Sequence, residues 1–198
     1  MSQITNQQVS PLVTIPQFVI GLRKLPESAF REIDAVLDYL RAHPVAPESL
    51  EPFLMWDRQH YTRNLVDHTD LYDLIAICWE VGQCSSIHNH KGQNCWMTVP
   101  MGRLLVQNYH VIYESVEEQR CDLVPTNVVE MSPNSPLAVD PNDPVHSVYN
   151  PREFGERAVS LHVYSRPFDS CVVYSVDQKT CGEIKLHYNS QYGIPSKR

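Results

Sequence analysis

The chain has 198 residues, and its 16 Lys+Arg against 23 Asp+Glu give a formal net charge of −7. This length suits a single domain that buries about 70% of the surface of the unfolded chain. The acidic balance, without any run of five basic residues, argues against binding to nucleic acid or to an anionic membrane.

The start of the chain has neither the basic region nor the apolar core of a secretory signal peptide. No stretch reaches the roughly 18 consecutive apolar residues that a membrane-spanning helix needs. We therefore expect a soluble, cytoplasmic protein and interpret its six cysteines as reduced thiols. No CxxC pair occurs, which argues against a zinc knuckle or a thioredoxin-like motif.

The first part of the chain, residues 1–56, has mainly helical patterning. The segment Ile15–Leu22 predicts a short helix. From Glu27 to Arg41 the apolar residues recur every three or four positions, and Pro26 stands where a helix can begin. A further helix from Glu48 to Trp56 is compatible with the pattern, although a proline interrupts it.

Short apolar runs separated by turn residues follow from about Tyr61 onward. The runs are 74–79, 95–99, 103–107, 123–125, 128–130, 145–148, 157–164, 171–175 and 183–187. Many short strands at near-regular spacing are typical of a sandwich or a jelly-roll barrel. The segment from Met131 to Pro144, rich in Pro, Asn, Asp and Ser, is interpreted as a surface loop. We expect a mostly β fold with the barrel over residues 57–193.

Two histidines separated by one residue form the first candidate metal site. In a strand, His88 and His90 would point into the same space while Asn89 points away. Imidazole suits iron, zinc, copper or nickel, and two imidazoles need at least one more ligand from elsewhere in the chain. Surface histidines also lie two apart by chance, so the pair alone does not identify a metal site.

The surroundings of this pair resemble a known motif. Five residues have the spacing of the first motif of the cupin family: Gly82, His88, His90, Cys95 and Gly102. Cys95 stands where many cupins carry a metal-binding Glu. Pro144, His146 and Asn150 resemble the second cupin motif, which supplies the remaining histidine. The resemblance implies a cupin-type jelly-roll β-barrel with N-terminal α-helices and a three-histidine site inside the barrel.

A second cluster of polar residues follows the predicted strand from Arg157 to Tyr164. One face of this strand is apolar, and the other carries a hydroxyl, an imidazole and a phenol: Ser160, His162 and Tyr164. A half-buried edge strand with a solvated face would have the same alternation. Beside a metal, the serine would orient the imidazole, and the imidazole would orient or polarise the phenol.

Separate motifs in order resemble the cysteine dioxygenase family. They are Tyr61 to Val66, Ser85 to His90 with Cys95, His146 with Asn150, Ser160 to Ser165, and Pro167 to Asp169. The resemblance runs from about Asp57 to Gly193, and the helical N-terminus matches only in general character. It implies a non-haem iron enzyme of cysteine catabolism and taurine biosynthesis, which adds both atoms of dioxygen to the sulfur of L-cysteine and forms cysteine sulfinic acid.

The resemblance implies a metal set of three neutral ligands. His88, His90 and His146 would bind Fe(II), in place of the two-histidine, one-carboxylate set of most non-haem iron oxygenases. The ion would then keep its full double positive charge. Such a centre favours an anionic thiolate and retains positions for the substrate sulfur, the substrate amine and dioxygen.

The resemblance also implies a carboxylate anchor. Arg63, aided by the hydroxyl of Tyr61, would hold the substrate carboxylate, because the planar paired donors of a guanidinium match carboxylate geometry. The alternative for Arg63 is a surface ion pair with Asp67 or Asp70.

A protein-derived thioether is the third implication. Cys95 and Tyr164 would be joined between the sulfur and the phenol ring, and the Tyr164 hydroxyl would hydrogen-bond to the substrate or to iron-bound oxygen. His162 and Ser160 would orient and tune Tyr164 without binding the metal. A buried free cysteine and a separate tyrosine are the alternative.

One departure from the family concerns the wall near Tyr164. Ser165-Arg166-Pro167 stands where many animal members have Ser-Pro-Pro, and a Ser-Arg peptide bond is expected to be trans. Two further thiols lie near the predicted site, Cys84 and Cys171; we interpret Cys171 mainly as a packing residue.

Two other functions stay open from the sequence. One is a related dioxygenase that acts on 3-mercaptopropionate, and the other is a cupin that binds a metal or small ligand without turnover. Arg63 and Cys95 favour cysteine, because the mercaptopropionate enzymes tend to have Gln and Gly there. We expect L-cysteine and O2 as the partners of a monomer that binds neither nucleic acid nor membrane.

Overall fold

The structure, a computed structural model, describes residues 10–133, 135–142 and 144–197. Residues 1–9, which carry the predicted absence of a signal peptide, lie outside the described residues, as do Asn134 and Asp143 of the predicted loop. The helices are α1 (Ile15–Leu22) and α2 (Ile33–Ala42), with 3-10 helices at Glu27–Phe30, Pro47–Phe53 and Arg152–Phe154. Within the described ranges, neither α-helix has the length and apolar character needed to span a membrane.

Helix α1 has the bounds that the sequence predicts. It begins after Thr14, whose hydroxyl accepts a hydrogen bond from the Gln17 N–H while the Gln17 side chain accepts one from the Thr14 N–H. This reciprocal capping box satisfies two backbone donors that a helix start leaves unpaired.

The continuous helix predicted from Glu27 to Arg41 is wrong. A 3-10 helix ends at Phe30, and α2 begins only at Ile33. The Phe30 carbonyl accepts hydrogen bonds from the side chains of Asn94 and Ser165. Because strand residues use this carbonyl, the backbone bends here instead of continuing an α-helix.

The helix predicted from Glu48 to Trp56 is also wrong as an α-helix. The chain forms a 3-10 helix over Pro47–Phe53, which ends before the predicted end. Pro52 lies inside it and has no backbone N–H to donate, which disfavours a regular α-helix.

The described residues contain thirteen strands in two sheets. The strands are β1 (Thr62–His68), β2 (Asp73–Trp79), β3 (Ile87–His88), β4 (Asn94–Met101), β5 (Leu104–Ser115), β6 (Arg120–Met131), β7 (Leu137–Ala138), β8 (Val145–Tyr149), β9 (Ala158–Ser165), β10 (Ser170–Ser175), β11 (Thr180–Lys185), β12 (Ser190–Gln191) and β13 (Ile194–Pro195). One sheet has the order β13-β12-β1-β2-β9-β4-β7, and the other β11-β10-β3-β8-β5-β6.

Most predicted strands agree with these bounds. The two runs near 123 and 128 are parts of the single strand β6, and the predicted loop from Met131 to Pro144 contains the short strand β7.

A buried apolar cluster lies between the two sheets. Trp79 and Met97 come from the seven-stranded sheet, whereas Leu104, Val106 and Val148 come from the six-stranded sheet. Two packed, mainly antiparallel sheets with helices before the first strand confirm the predicted mostly β, cupin-type jelly roll with N-terminal α-helices.

The N-terminal helices cover the outer face of the seven-stranded sheet. Phe18 of α1 and Leu40 of α2 belong to one buried cluster with Leu161 and Val163 of β9. Strand β9 lies between β2 and β4, and all of its residues are buried. It is therefore a central strand, and the alternative of a solvated edge strand is excluded.

Gly102 forms the tight turn between β4 and β5. Its φ is +73°, and a Cβ atom at this position would lie 2.4 Å from the Arg157 carbonyl oxygen. A larger side chain does not fit without moving the backbone. This turn connects the strand that carries Cys95 to the second sheet.

Candidate metal centre and substrate pocket

The three predicted metal-ligating histidines lie together. His88 on β3 and His146 on β8 are directly opposite each other in the antiparallel ladder. His90 follows just after the end of β3, so the strand predicted to hold both histidines of the pair is shorter than expected. The ring centroids are 4.8–5.2 Å apart, and one nitrogen from each ring lies within 4.8 Å of the others.

The ring nitrogens of this cluster are available to a ligand. Nδ1 of His88 is 2.9 Å from the Ser86 carbonyl oxygen, which leaves Nε2 free. The nitrogens of His90 and His146 are buried without a hydrogen-bond partner among the described residues, since the Pro144 backbone near His90 falls outside hydrogen-bond geometry. Each buried unpaired nitrogen costs about 1–3 kcal/mol.

The cluster has the charge state that a transition metal requires. Burial lowers the pKa of all three imidazoles, and their mutual repulsion lowers those of His90 and His146 further. The rings are therefore neutral near pH 7, the form in which histidine binds a metal. Three neutral nitrogens without other partners fit a divalent transition-metal ion.

A pocket adjoins this cluster. It is lined by polar and aromatic side chains that include Tyr61, Arg63, Trp79, His162, Tyr164 and Phe168. His88 and His90 form part of its wall. The predicted substrate-binding residues and two of the three predicted metal ligands thus line one cavity.

Arg63 points into this pocket. Its side chain is buried, and Nη1 has no hydrogen-bond partner among the described residues. The guanidinium carbon lies 5.4 Å from the ring centroid of Tyr188. Asp67 pairs with Arg23 instead, with Nε to Oδ2 at 2.9 Å, so the alternative of an Arg63–Asp67 ion pair does not hold. Since Arg63 forms no ion pair within the part of the chain that the structure describes, its buried guanidinium fits a carboxylate ligand.

Tyr61 lies just before β1 and stacks on Trp79. The two ring centroids are 4.7 Å apart with an interplanar angle of 24°. Burial raises the pKa of the Tyr61 phenol, although the nearby Arg63 opposes the shift. The hydroxyl therefore stays protonated and can donate a hydrogen bond in the pocket.

The polar row on β9 is connected by hydrogen bonds. Ser160 Oγ lies 2.8 Å from His162 Nε2, and His162 Nδ1 lies 3.2 Å from Tyr164 Oη. Burial lowers the pKa of His162 to about 3 and raises that of Tyr164 well above its ordinary value. Both groups are therefore neutral near pH 7.

Trp79 extends this row, although the sequence pattern did not assign it to the site. Its indole Nε1–H donates a hydrogen bond of 2.9 Å to Ser160 Oγ. Trp79 is the last residue of β2, two positions after Ile77, which is the register partner of Ser160. The contact depends on the pairing of β2 with β9, and nothing in the linear sequence indicates that register.

Cys95 lies beside the end of this row. It is the register partner of Tyr164 in the β4–β9 ladder, and both side chains belong to the core between the sheets. Directly opposed residues in such a ladder have Cβ atoms about 4.5–5.5 Å apart. Burial raises the pKa of the Cys95 thiol.

The expected trans peptide at Ser165–Arg166 is wrong, because this bond is cis. Local contacts override the general preference: the Arg166 N–H donates to Gln93 Oε1 at 2.6 Å, and Ser165 Oγ donates to the Phe30 carbonyl at 3.2 Å. The segment leads to Phe168, which lines the pocket.

The two additional thiols occupy different places. Cys171 is buried, and it lines the pocket in addition to packing in the core. Cys84 is exposed and pairs through its backbone with Tyr149.

The chain is similar to several known proteins. The profile of the family described as "Cysteine dioxygenase type I" matches residues 1–177. Cysteine dioxygenase type 1 of Rattus norvegicus is 29% identical over 166 residues, which cover 82% of this chain and 78% of that protein. Cysteine dioxygenase type 1 of Danio rerio is 27% identical over 184 residues, covering 91% and 88%. A solved cupin superfamily protein from Desulfitobacterium hafniense covers 58% of this chain and 84% of its own, with 9% identity and a TM-score of 0.43.

Proposed function

Because the chain belongs to the cysteine dioxygenase type I family, we propose that it oxidises L-cysteine with dioxygen to cysteine sulfinic acid. The thiol R–SH takes up both oxygen atoms and becomes R–SO2H, so the reaction consumes no further reductant. The observation that carries this proposal is the three-histidine cluster, two of whose members, His88 and His90, line one pocket with Arg63, whose Nη1 has no partner among the described residues.

His88, His90 and His146 would hold Fe(II). Their neutral, unpaired nitrogens support this assignment, because a site without a carboxylate leaves the ion its full positive charge. When bound, Fe(II) supplies the centre that binds the substrate sulfur and amine and activates dioxygen.

Arg63 and Tyr61 would bind the substrate carboxylate. The guanidinium offers two parallel donors, and the Tyr61 hydroxyl offers a third. Stacking of Tyr61 on Trp79 and of Arg63 on Tyr188 holds these donors before the substrate arrives. A thiol without a carboxylate would leave the buried charge of Arg63 unpaired, so the pocket selects a short amino acid or a short acid.

Tyr164 would donate a hydrogen bond to the reacting groups, with His162 and Ser160 holding its position. A thioether between the Cys95 sulfur and the Tyr164 ring would fix the phenol further. Its formation replaces one S–H and one ring C–H bond by an S–C bond, and dioxygen accepts the two hydrogens. The direct cross-strand pairing of the two residues supports this modification.

The test is an oxygen-uptake assay of the iron-loaded protein with cysteine, 3-mercaptopropionate and cysteamine in parallel. We expect about one sulfinate per dioxygen consumed with cysteine, and much slower turnover of cysteamine. Faster turnover of 3-mercaptopropionate than of cysteine would favour the related enzyme. No oxygen uptake with any thiol would leave a binding module and refute the proposal.

A further inference from the structure

We propose that Trp79 is a positioning residue that fixes the tautomer of His162 and so directs the hydroxyl hydrogen of Tyr164 into the pocket. The tautomer is a property of the protein alone. Only its consequence for turnover rests on the proposed function.

The proposal starts from a continuous chain of hydrogen bonds between two strands. Trp79 Nε1 is 2.9 Å from Ser160 Oγ, which is 2.8 Å from His162 Nε2. His162 Nδ1 is in turn 3.2 Å from Tyr164 Oη. Every member of the chain is at most 6% exposed, so solvent does not compete for these contacts.

The direction of the first bond follows from chemistry. An indole N–H can only donate, so Ser160 Oγ must accept from Trp79. The serine then has one hydrogen of its own to place. Among the described residues, its remaining hydrogen-bond partner is His162 Nε2.

The second bond fixes the imidazole. If His162 carried its hydrogen on Nε2, that N–H would face the Ser160 hydroxyl, whose own hydrogen would then have no acceptor in a buried place. A buried polar hydrogen without an acceptor is disfavoured. Ser160 therefore donates to Nε2, and the hydrogen of the neutral His162 ring lies on Nδ1.

The third bond, between His162 and Tyr164, determines whether the Tyr164 hydroxyl hydrogen points into the pocket. Nδ1–H donates to Tyr164 Oη, so the phenol acts there as an acceptor and keeps its own hydrogen for another partner. The described residues offer no second hydrogen-bond partner to this hydroxyl, and Tyr164 lines the pocket. Its hydrogen is therefore available to a bound ligand.

Without the indole N–H, the donor-to-acceptor direction of this series of hydrogen bonds is no longer fixed. A water molecule in the space left by the indole N–H can accept the Ser160 hydrogen, so that His162 Nε2–H could donate to Ser160 and the Tyr164 hydroxyl would donate to Nδ1 instead of to the pocket. The substitution Trp79→Phe removes this N–H but keeps an aromatic ring that can stack on Tyr61. It therefore separates the hydrogen bond from the stacking.

The decisive experiment measures the tautomer by NMR of metal-free protein carrying 15N-labelled histidine, near pH 7. A His162→Gln variant assigns the signals of His162. In the wild type we expect the hydrogen on Nδ1; in Trp79→Phe we expect a mixture or a majority of the Nε2–H form. A wild-type ring with its hydrogen on Nε2, or an unchanged tautomer in Trp79→Phe, would overturn the proposal. If Trp79→Phe does not fold, the wild-type spectrum still tests the tautomer, and the Ser160→Ala variant tests whether the serine transmits the effect.

A kinetic cycle tests the consequence for turnover. We expect Trp79→Phe and Ser160→Ala each to lower kcat for cysteine by about tenfold, as loss of one buried hydrogen bond implies, with little change in KM. The double variant should lose no more than Ser160→Ala alone, because Trp79 acts through Ser160. If the two losses in kcat multiplied in the double variant, Trp79 would not act through Ser160. Inactive wild-type protein with the expected tautomer would refute the proposed function and leave the tautomer assignment standing.

Discussion

Cys95 and Tyr164 are directly opposed in the antiparallel ladder of β4 and β9, and both side chains are buried between the two sheets. The relationship depends on register alone. A shift of β4 by one residue would turn Cys95 to the outer face, towards the N-terminal helices. The pairing therefore gives the proposed thioether a physical basis that is independent of the family resemblance.

We predict that protein recovered after turnover with iron and cysteine contains a fraction lighter by two hydrogens. Intact-mass spectrometry under reducing conditions measures it, since reduction opens disulfides but not a thioether. Cys95→Ser should abolish the fraction, whereas Cys171→Ser, which removes a different buried thiol that lines the pocket, should keep it. A mass that stays unchanged after repeated turnover would refute the crosslink.

Arg63→Ala should lower kcat/KM for cysteine about 100-fold and leave cysteamine turnover nearly unchanged. The reason is that only cysteine has a carboxylate to pair with the guanidinium, and a charge-assisted hydrogen bond contributes about 1.5–3 kcal/mol. Arg63→Lys keeps the charge but loses the paired donors, so an intermediate loss is expected. Equal losses for both substrates would count against a carboxylate role.

His146→Ala should lose iron binding, because it leaves two imidazoles where the proposed site needs three. Metal analysis after anaerobic loading measures the effect. His68→Ala is the matched control, since His68 bonds to Asp73 outside the cluster. Iron should also raise the melting temperature of the wild type, because it binds only the folded state. Iron retained by His146→Ala at the wild-type level would exclude His146 as a ligand.

The metal-free protein should become less stable as the pH falls from 7 to 5. The pKa values of His88, His90, His146 and His162 are lowered in the folded state, so the unfolded chain binds more protons below about pH 6.5. With its folded pKa at about 3, His162 alone contributes about 2 kcal/mol of the loss between pH 7 and 5.

Urea unfolding at several pH values measures this dependence. The variant His162→Gln should have a shallower loss of stability on acidification, because it lacks one of the four groups. His60→Gln, at an exposed position, should follow the wild-type curve. If the protein became more stable on acidification, the four histidines would not be buried in their neutral form.

Local patterns predicted the elements that depend on neighbouring residues. Helix α1 has its predicted bounds because the capping residues lie beside it in sequence. The break before Ile33 could not be predicted, because the groups that bind the Phe30 carbonyl come from Asn94 and Ser165, far along the chain. Tertiary hydrogen bonds overrode helical periodicity at that point.

The residues of the candidate site also fall into a predicted group and a missed group. The pairing of His88 with His90 is visible as a local spacing, and the resemblance to a family supplied His146 and Arg63. Trp79 and Tyr188 were missed, because each reaches the site only through the packing of distant strands and of the C-terminal segment. Contacts of this kind depend on strand register, which composition and periodicity do not specify.

Strand β9 has one face against the helices and the other in the pocket. The same strand thus spaces Ser160, His162 and Tyr164 on one face and packs against α1 and α2 with the other. Substitutions at Phe18 or Leu40, far from any substrate, would disturb the alignment of the reacting groups as well as the fold. A substitution that loosens the N-terminal segment should for this reason lower both the resistance to heat and the proposed turnover.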